Sequence, residues 1–419
     1  MNTTGRVISF KTQSGGGDIS IVDENFIPLC PFLTTFLEHY KTLNTKKSYA
    51  NQLLFIHRYF VTKSIDLPSR IRDGRYLTIE EYEGLHRHCH YKKSEWMGSG
   101  GNVSSFTQFR DKQLDKLIHA SRAADDKVIN NTVKIRLTLL IEYIEHLHYM
   151  HHFSSSPGSE AQHKFDLLIH KAKKDRKLLK EENSQVRDPN ESVLSDEIFD
   201  ELVRTIDPSS PDNPFTNTAR TRNYLIVKLV MEGGLRRGAV AKIKLSDVHD
   251  DWHNPRIRIT RTPNDPTDPR KDIPSQKTKQ HVVPVSKDTM KKLLNYVENI
   301  RASFTDSIQH EFVFVSEKGT CGQPLTLAGF DYIFTKIGKN LGIHLTPHML
   351  RHKWNEQFDD AAEKLGISGE QREDIRKGAM GWSENSNMGA IYNSKNLAVK
   401  AQKIHQEMQS AQINRLACD

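Results

Sequence analysis

Cysteine is scarce in this chain. Four of 419 residues, Cys30, Cys89, Cys321 and Cys418, are too few and too scattered for a disulfide framework. They imply free thiols in a reducing compartment. Long apolar runs are missing too. No stretch is long enough to cross a bilayer, and the opening Met-Asn-Thr-Thr-Gly-Arg has no signal-peptide apolar segment. A cytoplasmic location without a membrane partner is therefore expected. Charge is not strongly one-sided: 60 Lys+Arg against 52 Asp+Glu leave +8, with pI ≈ 9.1. That excess is compatible with a polyanionic partner, although many basic proteins bind none. Metal-ligand spacing is absent as well. His86, His88, Cys89 and His90 lie close together, as do His146, His148, His151 and His152. Neither group has the spacing of a zinc finger, and adjacent histidines on a helix point in different directions. No metal and no cofactor are expected. At 36% hydrophobic the chain can still bury ordinary cores, and its length suits two or three domains.

Punctuation divides the chain. Residues 1–25, with Gly15-Gly16-Gly17, read as a flexible lead. Helical spacing begins at Pro31, with Phe32, Phe36, Leu37 and Tyr40 in phase. A second helix is expected over 45–62, with Tyr49, Leu53, Ile56 and Phe60 on one stripe and Asn44 or Thr45 as its cap. A third is expected over 132–153, carrying Ile135, Leu139, Tyr143, Leu147 and Met150. Residues 26–153 form one helical domain in this reading, with an insertion at 65–130. Ser154-Ser-Ser-Pro-Gly158 then breaks the pattern, and residues 154–192 read as a linker with a charged helix over 163–182. The lysines of that helix are either a solvated face or a strip that contacts phosphates without reading sequence. Leu194-Ser-Asp-Glu197 is a helix-start signature, so the last domain spans 193–419.

Chemistry is concentrated in that last domain. In chain order come Arg236 in Gly-Gly-Leu-Arg-Arg-Gly, Lys277 in Gln-Lys-Thr-Lys, and His348 with Arg351 in Pro-His-Met-Leu-Arg-His. Trp382 in Met-Gly-Trp-Ser and Tyr392 in Ala-Ile-Tyr-Asn follow. A phosphodiester attacked in line gathers negative charge on its non-bridging oxygens. Arginine meets that charge with a planar, permanently charged fork. Two arginines placed in advance around one phosphate supply a large catalytic term. Histidine and the indole N–H can donate to the same oxygens. A tyrosine hydroxyl is a covalent nucleophile once its proton is removed, and a lysine can protonate the departing 5′ oxygen. Each match alone is ordinary: Gly-Gly is common helix-end punctuation, and His-x-x-Arg usually marks a solvated face. The joint order carries the reading.

These residues resemble the tyrosine recombinase (phage integrase) family. Arg236 follows an apolar helix, Tyr224-Leu-Ile-Val-Lys-Leu-Val-Met231, as the family's first arginine does. His348-Met-Leu-Arg351 resembles its His-x-x-Arg box, and Gly381-Trp382 its Gly-His/Trp step. The resemblance covers roughly residues 193–400 well and 30–153 more loosely. It implies a multidomain chain, with an all-α N-terminal core-binding (SAM-like) domain. The catalytic domain would be mainly helical α+β with a small antiparallel sheet. It implies attack by Tyr392 to give a 3′-phosphotyrosyl link and a free 5′-hydroxyl, without metal or nucleotide cofactor. It implies double-stranded DNA with specific recombination sites as partner and a homo-tetramer on two such sites. DNA-bending accessory proteins are further partners that the family admits. The expected function is a site-specific recombinase of a mobile element. The alternatives are a type IB topoisomerase, which religates the same strand, and a DNA-binding protein that has lost catalysis.

Three features depart from the family pattern. Ala239 stands where an acid usually follows the first arginine, and Trp382 is one residue farther from Tyr392 than is commonest. The lysine is ambiguous: Lys277 and Lys279 share the run Gln276–Val285, which reads as one arm of a β-hairpin, and side chains two apart share a face. Lys277 is the closer match. Beyond Tyr392 a helix is expected over 396–416. Leu397, Ala401, Ile404, Met408 and Ala411 form a narrow apolar seam, for the chain's own catalytic domain or for a neighbouring protomer.

Overall fold

The computed structural model describes residues 5–13, 15–92, 127–154, 157–180 and 194–390, with 401, 404 and 407–409. They fall into two compact units: Met1–Thr12 with Gly17–Val186, and Gln13–Gly16 with Arg187–Asp419. Tyr392, most of the expected helix 396–416, and Cys418 lie outside the described residues. Of the seam, Ala401, Ile404 and Met408 are described and exposed.

The first unit opens with a hairpin where the sequence suggested a flexible lead. Strands β1 (Arg6–Lys11) and β2 (Gly17–Val22) pair antiparallel, Arg6 opposite Val22 and Lys11 opposite Gly17. The reason is apolar. Ile19, Ile21 and Val22 are buried, and β2 packs on helices α1 (Pro31–Glu38) and α2 (Leu43–Thr62). Helix α2 starts earlier than expected, with Thr42 as the extended cap residue, so Asn44 and Thr45 lie inside it. Its stripe holds: Leu53, Ile56 and Phe60 are buried.

Residues 65–92 continue the same core. Asp66 caps α3 (Leu67–Arg72), and Thr78 with Glu81 forms a capping box on α4 (Ile79–His88). Leu67, Ile71, Tyr82 and Leu85 are buried with α2 and α5 (Asn130–His152). The remainder of the expected insertion, 93–126, is outside the described residues. Along α5, Leu139, Tyr143 and Leu147 are buried as expected, whereas Ile135 and Met150 are exposed. The helix is covered over a wider arc than one stripe, so Val133, Leu137, Leu140, Ile141 and Ile144 are buried too.

The charged helix is also more than a linker. It runs as α6 (Ser159–Leu178) and packs on α5 through buried Leu168, Ile169 and Ala172. Three of its lysines are spent within the unit, Lys164 on Glu160 among them. Lys171 pairs with Glu83 and Asp175, and Lys173 with Glu145.

The histidine groups pack rather than converge. His88 stacks on Phe55 with centroids 4.5 Å apart, and burial pushes its pKa down to about 4. Burial also pushes the Cys89 thiol up to about 12. His146 meets His39 and Thr35 at 3.2 Å, and His148 meets the Tyr76 hydroxyl at 2.7 Å. Among the described residues no group of three His, Cys, Asp or Glu side chains is placed to hold a metal ion.

The helix start expected at Leu194-Ser-Asp-Glu197 is present in the second unit: Ser195 caps α7 (Asp196–Ile206), accepting from the Ile198 N–H at 3.3 Å. Its centre is α8 (Asn217–Gly233), where Leu225, Ile226, Val227, Leu229 and Val230 are all buried. A helix apolar on every side belongs inside, and each such side chain contributes about 1.5–3 kcal/mol on burial. Helices α9 (Arg237–Lys242), α10 (Lys287–Asn295), α11 (Leu327–Asn340), α12 (Pro347–Lys364) and α13 (Gly369–Met380) complete the unit. A three-stranded antiparallel sheet runs in the order β3 (Val248–His249), β4 (Arg256–Ile259), β5 (His281–Pro284). Ile257, Ile259 and Val283 face the core. The expected hairpin arm is thus shorter than Gln276–Val285: the segment holding both lysines precedes the strand as a loop. Among the described residues no helix is long and apolar enough to cross a membrane.

Candidate active site

The Gly-Gly turn after α8 positions more than its own arginine. Gly234 caps the helix at φ 55, and a side chain there would meet the Met380 methyl and, at 2.9 Å, the Trp354 ring. Glycine is the residue that fits. The buried Gly234 carbonyl then accepts from Arg351 Nη1 at 2.5 Å, so the first motif orients the second motif's arginine. Two residues on, Arg236 takes the extended cap position of α9. Arg236, His348 and Arg351 line one pocket of about 240 Å³, together with Arg237, Asp331 and Thr346.

Helix α12 supplies the next pair. Pro347 starts it, which leaves His348 exposed on the first turn and Arg351 buried one turn later. The His348 ring stands 4.5 Å from the buried His352 at 74°. The Arg351 guanidinium lies 5.7 Å from the centre of the Trp382 ring, a cation–π approach. Trp382 is buried with Met380, Trp354 and Met388. Trp354 is fixed in turn by its indole N–H, which donates to the Glu232 carbonyl at 2.9 Å.

The lysine loop is tied to the Gly-Trp step. Gly238 lets Ser275 approach: a β-carbon there would lie 2.5 Å from the Ser275 carbonyl oxygen. The Lys279 N–H donates to the Gly381 carbonyl at 2.7 Å. Gly381 ends α13 at φ 63, and a β-carbon there would strike the His281 imidazole and lie 2.6 Å from the Lys279 carbonyl. Lys277 and Lys279 are both exposed, with Thr278 buried between them. The Lys279 ammonium reaches Glu384 at 3.5 Å. Position alone does not choose between the lysines.

His281 is a residue that sequence reading passed over. It opens β5 inside the Val-rich run, whose pattern signals only a strand. Its Nδ1 lies 3.1 Å from the Lys279 carbonyl. Burial lowers its pKa, and the positive charges of Arg351 and Arg236 lower it further against the opposing pull of that carbonyl. Burial and the two neighbouring cations both favour its neutral form.

The structure thus gathers Arg236, His348 and Arg351 at one pocket, sets Trp382 against Arg351, and ties the Lys277 loop to the Gly381 turn. Tyr392 falls outside the described residues. Ala239 is buried in α9, and the carboxylate that lines the pocket comes from Asp331 on α11 instead. A pocket lined by three arginines is built to bind and polarise an oxyanion such as a phosphate.

Residues 199–396 match the phage integrase family. Over 162 residues the chain is 30% identical to transposase A from transposon Tn554 of Staphylococcus aureus, which covers 38% of this chain and 42% of that protein. The chain therefore spans less than half the length of the curated relatives it matches. Among solved structures, XerH site-specific recombinase bound to difH substrate is 15% identical with a TM-score of 0.45, covering 86% of this chain and 92% of that one. The Tn1549 transposon integrase in complex with transposon right end DNA is 13% identical with a TM-score of 0.38, covering 71% and 92%.

Proposed function

We propose that this chain, whose residues 199–396 form a phage integrase family domain, is a site-specific DNA recombinase of a mobile genetic element. The observation that carries this reading is the single pocket lined by Arg236, His348 and Arg351, with the Arg351 guanidinium held by the Gly234 carbonyl. Its partner is double-stranded DNA, and the scissile phosphate occupies that pocket. The Tyr392 hydroxyl gives up its proton to solvent as its oxygen attacks phosphorus, the bond to the 5′ oxygen breaks, and Lys277 gives that oxygen its proton. The product is a 3′-phosphotyrosyl link with a free 5′-hydroxyl. A 5′-hydroxyl from a second strand then reverses the step. Bond energy is kept in the enzyme link, so no cofactor enters the balance. Arg236 and Arg351 stabilise the charge that develops on the non-bridging oxygens. His348 and Trp382 serve the same phosphate as neighbours of the arginines.

In this reading the N-terminal helical unit is the core-binding domain, and four protomers act on two DNA sites. The seam at Ile404 and Met408 then docks on a neighbour. A relative that is a transposase supports a mobile element as the source.

The test is a nicked suicide duplex bearing the element's end sequence. The wild-type protein should become covalently attached to it, and Tyr392→Phe should bind but form no adduct, since only the attacking oxygen is lost. Adducts that persist in Tyr392→Phe overturn the nucleophile. Relaxation of supercoils without strand exchange between two duplexes would replace recombination by the topoisomerase activity.

A further inference from the structure

The pocket holds a charged pair that the reaction above does not use. Arg237 opens α9, and its Nη1 donates to Oδ2 of Asp331 on α11. Both side chains line the pocket beside Arg236, His348 and Arg351. They are 38% and 51% exposed. An ion pair this wet contributes little to folding, because water screens it and two side chains lose freedom. Its position is in the lining of the pocket itself. Three guanidiniums crowd one pocket of about 240 Å³, and like charges so placed repel unless an anion sits among them. Asp331 is that anion, with carboxylate oxygens of the kind a phosphate presents. The bond to Asp331 uses one arm of the Arg237 fork, whereas a guanidinium has five N–H donors.

The backbone of Arg237 is fixed. It shares the turn that places Arg236, Gly238 seats closely on the Ser275 carbonyl, and Ala239 is buried behind it. An arginine on so firm a base, already gripping an anion, is organised for an oxyanion ligand. Resting on the recombinase reading, we propose that Arg237 is a further phosphate-binding residue of this pocket. Asp331 is its resident counterion in the DNA-free protein, and the incoming DNA phosphate takes that carboxylate's place. Asp331 therefore restrains DNA binding. Its negative charge must be overcome each time a phosphate enters, which favours release and disfavours loose binding to arbitrary duplex.

The salt dependence of binding separates a phosphate contact from a merely structural ion pair. Full-length protein is titrated onto a short mixed-sequence duplex over a range of salt concentrations, with a melting curve for each variant. Arg237→Ala should weaken binding by on the order of tenfold and make the slope of log affinity against log salt shallower by about one. Arg237→Gln, which keeps length and can still donate to Asp331, should lose the same slope, so the result does not depend on the alanine variant folding well. Asp331→Asn should bind several-fold more tightly, and that gain should shrink when Arg237 is also alanine. A wild-type slope in both Arg237 variants, or weaker binding by Asp331→Asn, overturns the proposal. If the wild-type protein itself shows no salt-dependent duplex binding, the recombinase reading falls instead.

Discussion

Replacing Gly381 by alanine tests the joint between the lysine loop and the tryptophan step. Gly381 has φ 63, and an added β-carbon would strike the His281 ring and come within 2.6 Å of the Lys279 carbonyl oxygen. Left-handed backbone costs a non-glycine residue about 1–2 kcal/mol. The carbonyl is backbone and cannot swing aside without disturbing the Lys279 N–H bond to Gly381, worth about 1 kcal/mol. The sum is about 2–3 kcal/mol. For a unit of this size that lowers the melting temperature by roughly 4–12 °C. Activity should fall further than stability, because Trp382 and the Lys277 loop move apart; a misplacement near 1 Å costs on the order of a hundredfold in rate. Gly378→Ala is the control. It sits one turn earlier on the same helix, with nothing within 4 Å of the added carbon, so it should melt at or slightly above the wild type. The assays are thermal unfolding and single-turnover formation of the covalent complex. A Gly381→Ala protein that melts and cleaves like Gly378→Ala would refute the argument that this contact sets the geometry.

Three further outcomes are expected. Arg351→Lys should leave DNA affinity within a few-fold and slow cleavage by on the order of a hundredfold or more, because a point-charge ammonium lacks the planar fork that spans the Gly234 carbonyl and a phosphate oxygen; a near wild-type cleavage rate would remove Arg351 from the phosphate. Lys277→Ala should be rescued on a substrate with a 5′-bridging sulfur, a leaving group that needs no proton. Lys279→Ala should cleave almost normally on both substrates, and the reverse pattern transfers the role to Lys279. The His88 imidazole has its pKa pushed down to about 4 by burial, so the unfolded chain takes up this proton first as pH falls below about 6.5. Stability is therefore lost between about pH 6.5 and about 4 and not further below. Full linkage would be about 3 kcal/mol, and partial exposure reduces it to about 1 kcal/mol. His88→Phe, which keeps the stack on Phe55, should flatten urea midpoints across that window, and an unchanged pH dependence counts against His88.

Residue chemistry and local period sufficed for much of this protein. Chain order alone singled out Arg236, His348, Arg351 and Trp382, because each motif carries its own punctuation: the Gly-Gly helix end, the proline that opens α12, the glycine before the tryptophan. The long apolar stretch before Arg236 marked a central helix, since no side of it could face water. The same local logic failed where burial depends on partners far away in the chain. Residues 6–22 form a hairpin because Ile19 and Ile21 find α1 and α2, and glycine-rich sequence looks loose until that surface is present. The basic helix α6 is half core because α5 offers an apolar face to Leu168 and Ile169. The site shows the division most clearly. Which residues are candidates is legible in the joint order of the motifs, but how they are held is not. The Gly234 carbonyl orients Arg351 across 117 positions, Gly381 receives the Lys279 amide, and Asp331 on α11 faces Arg237 on α9. Such contacts join motifs that have no spacing rule between them, because only the folded core sets the distance.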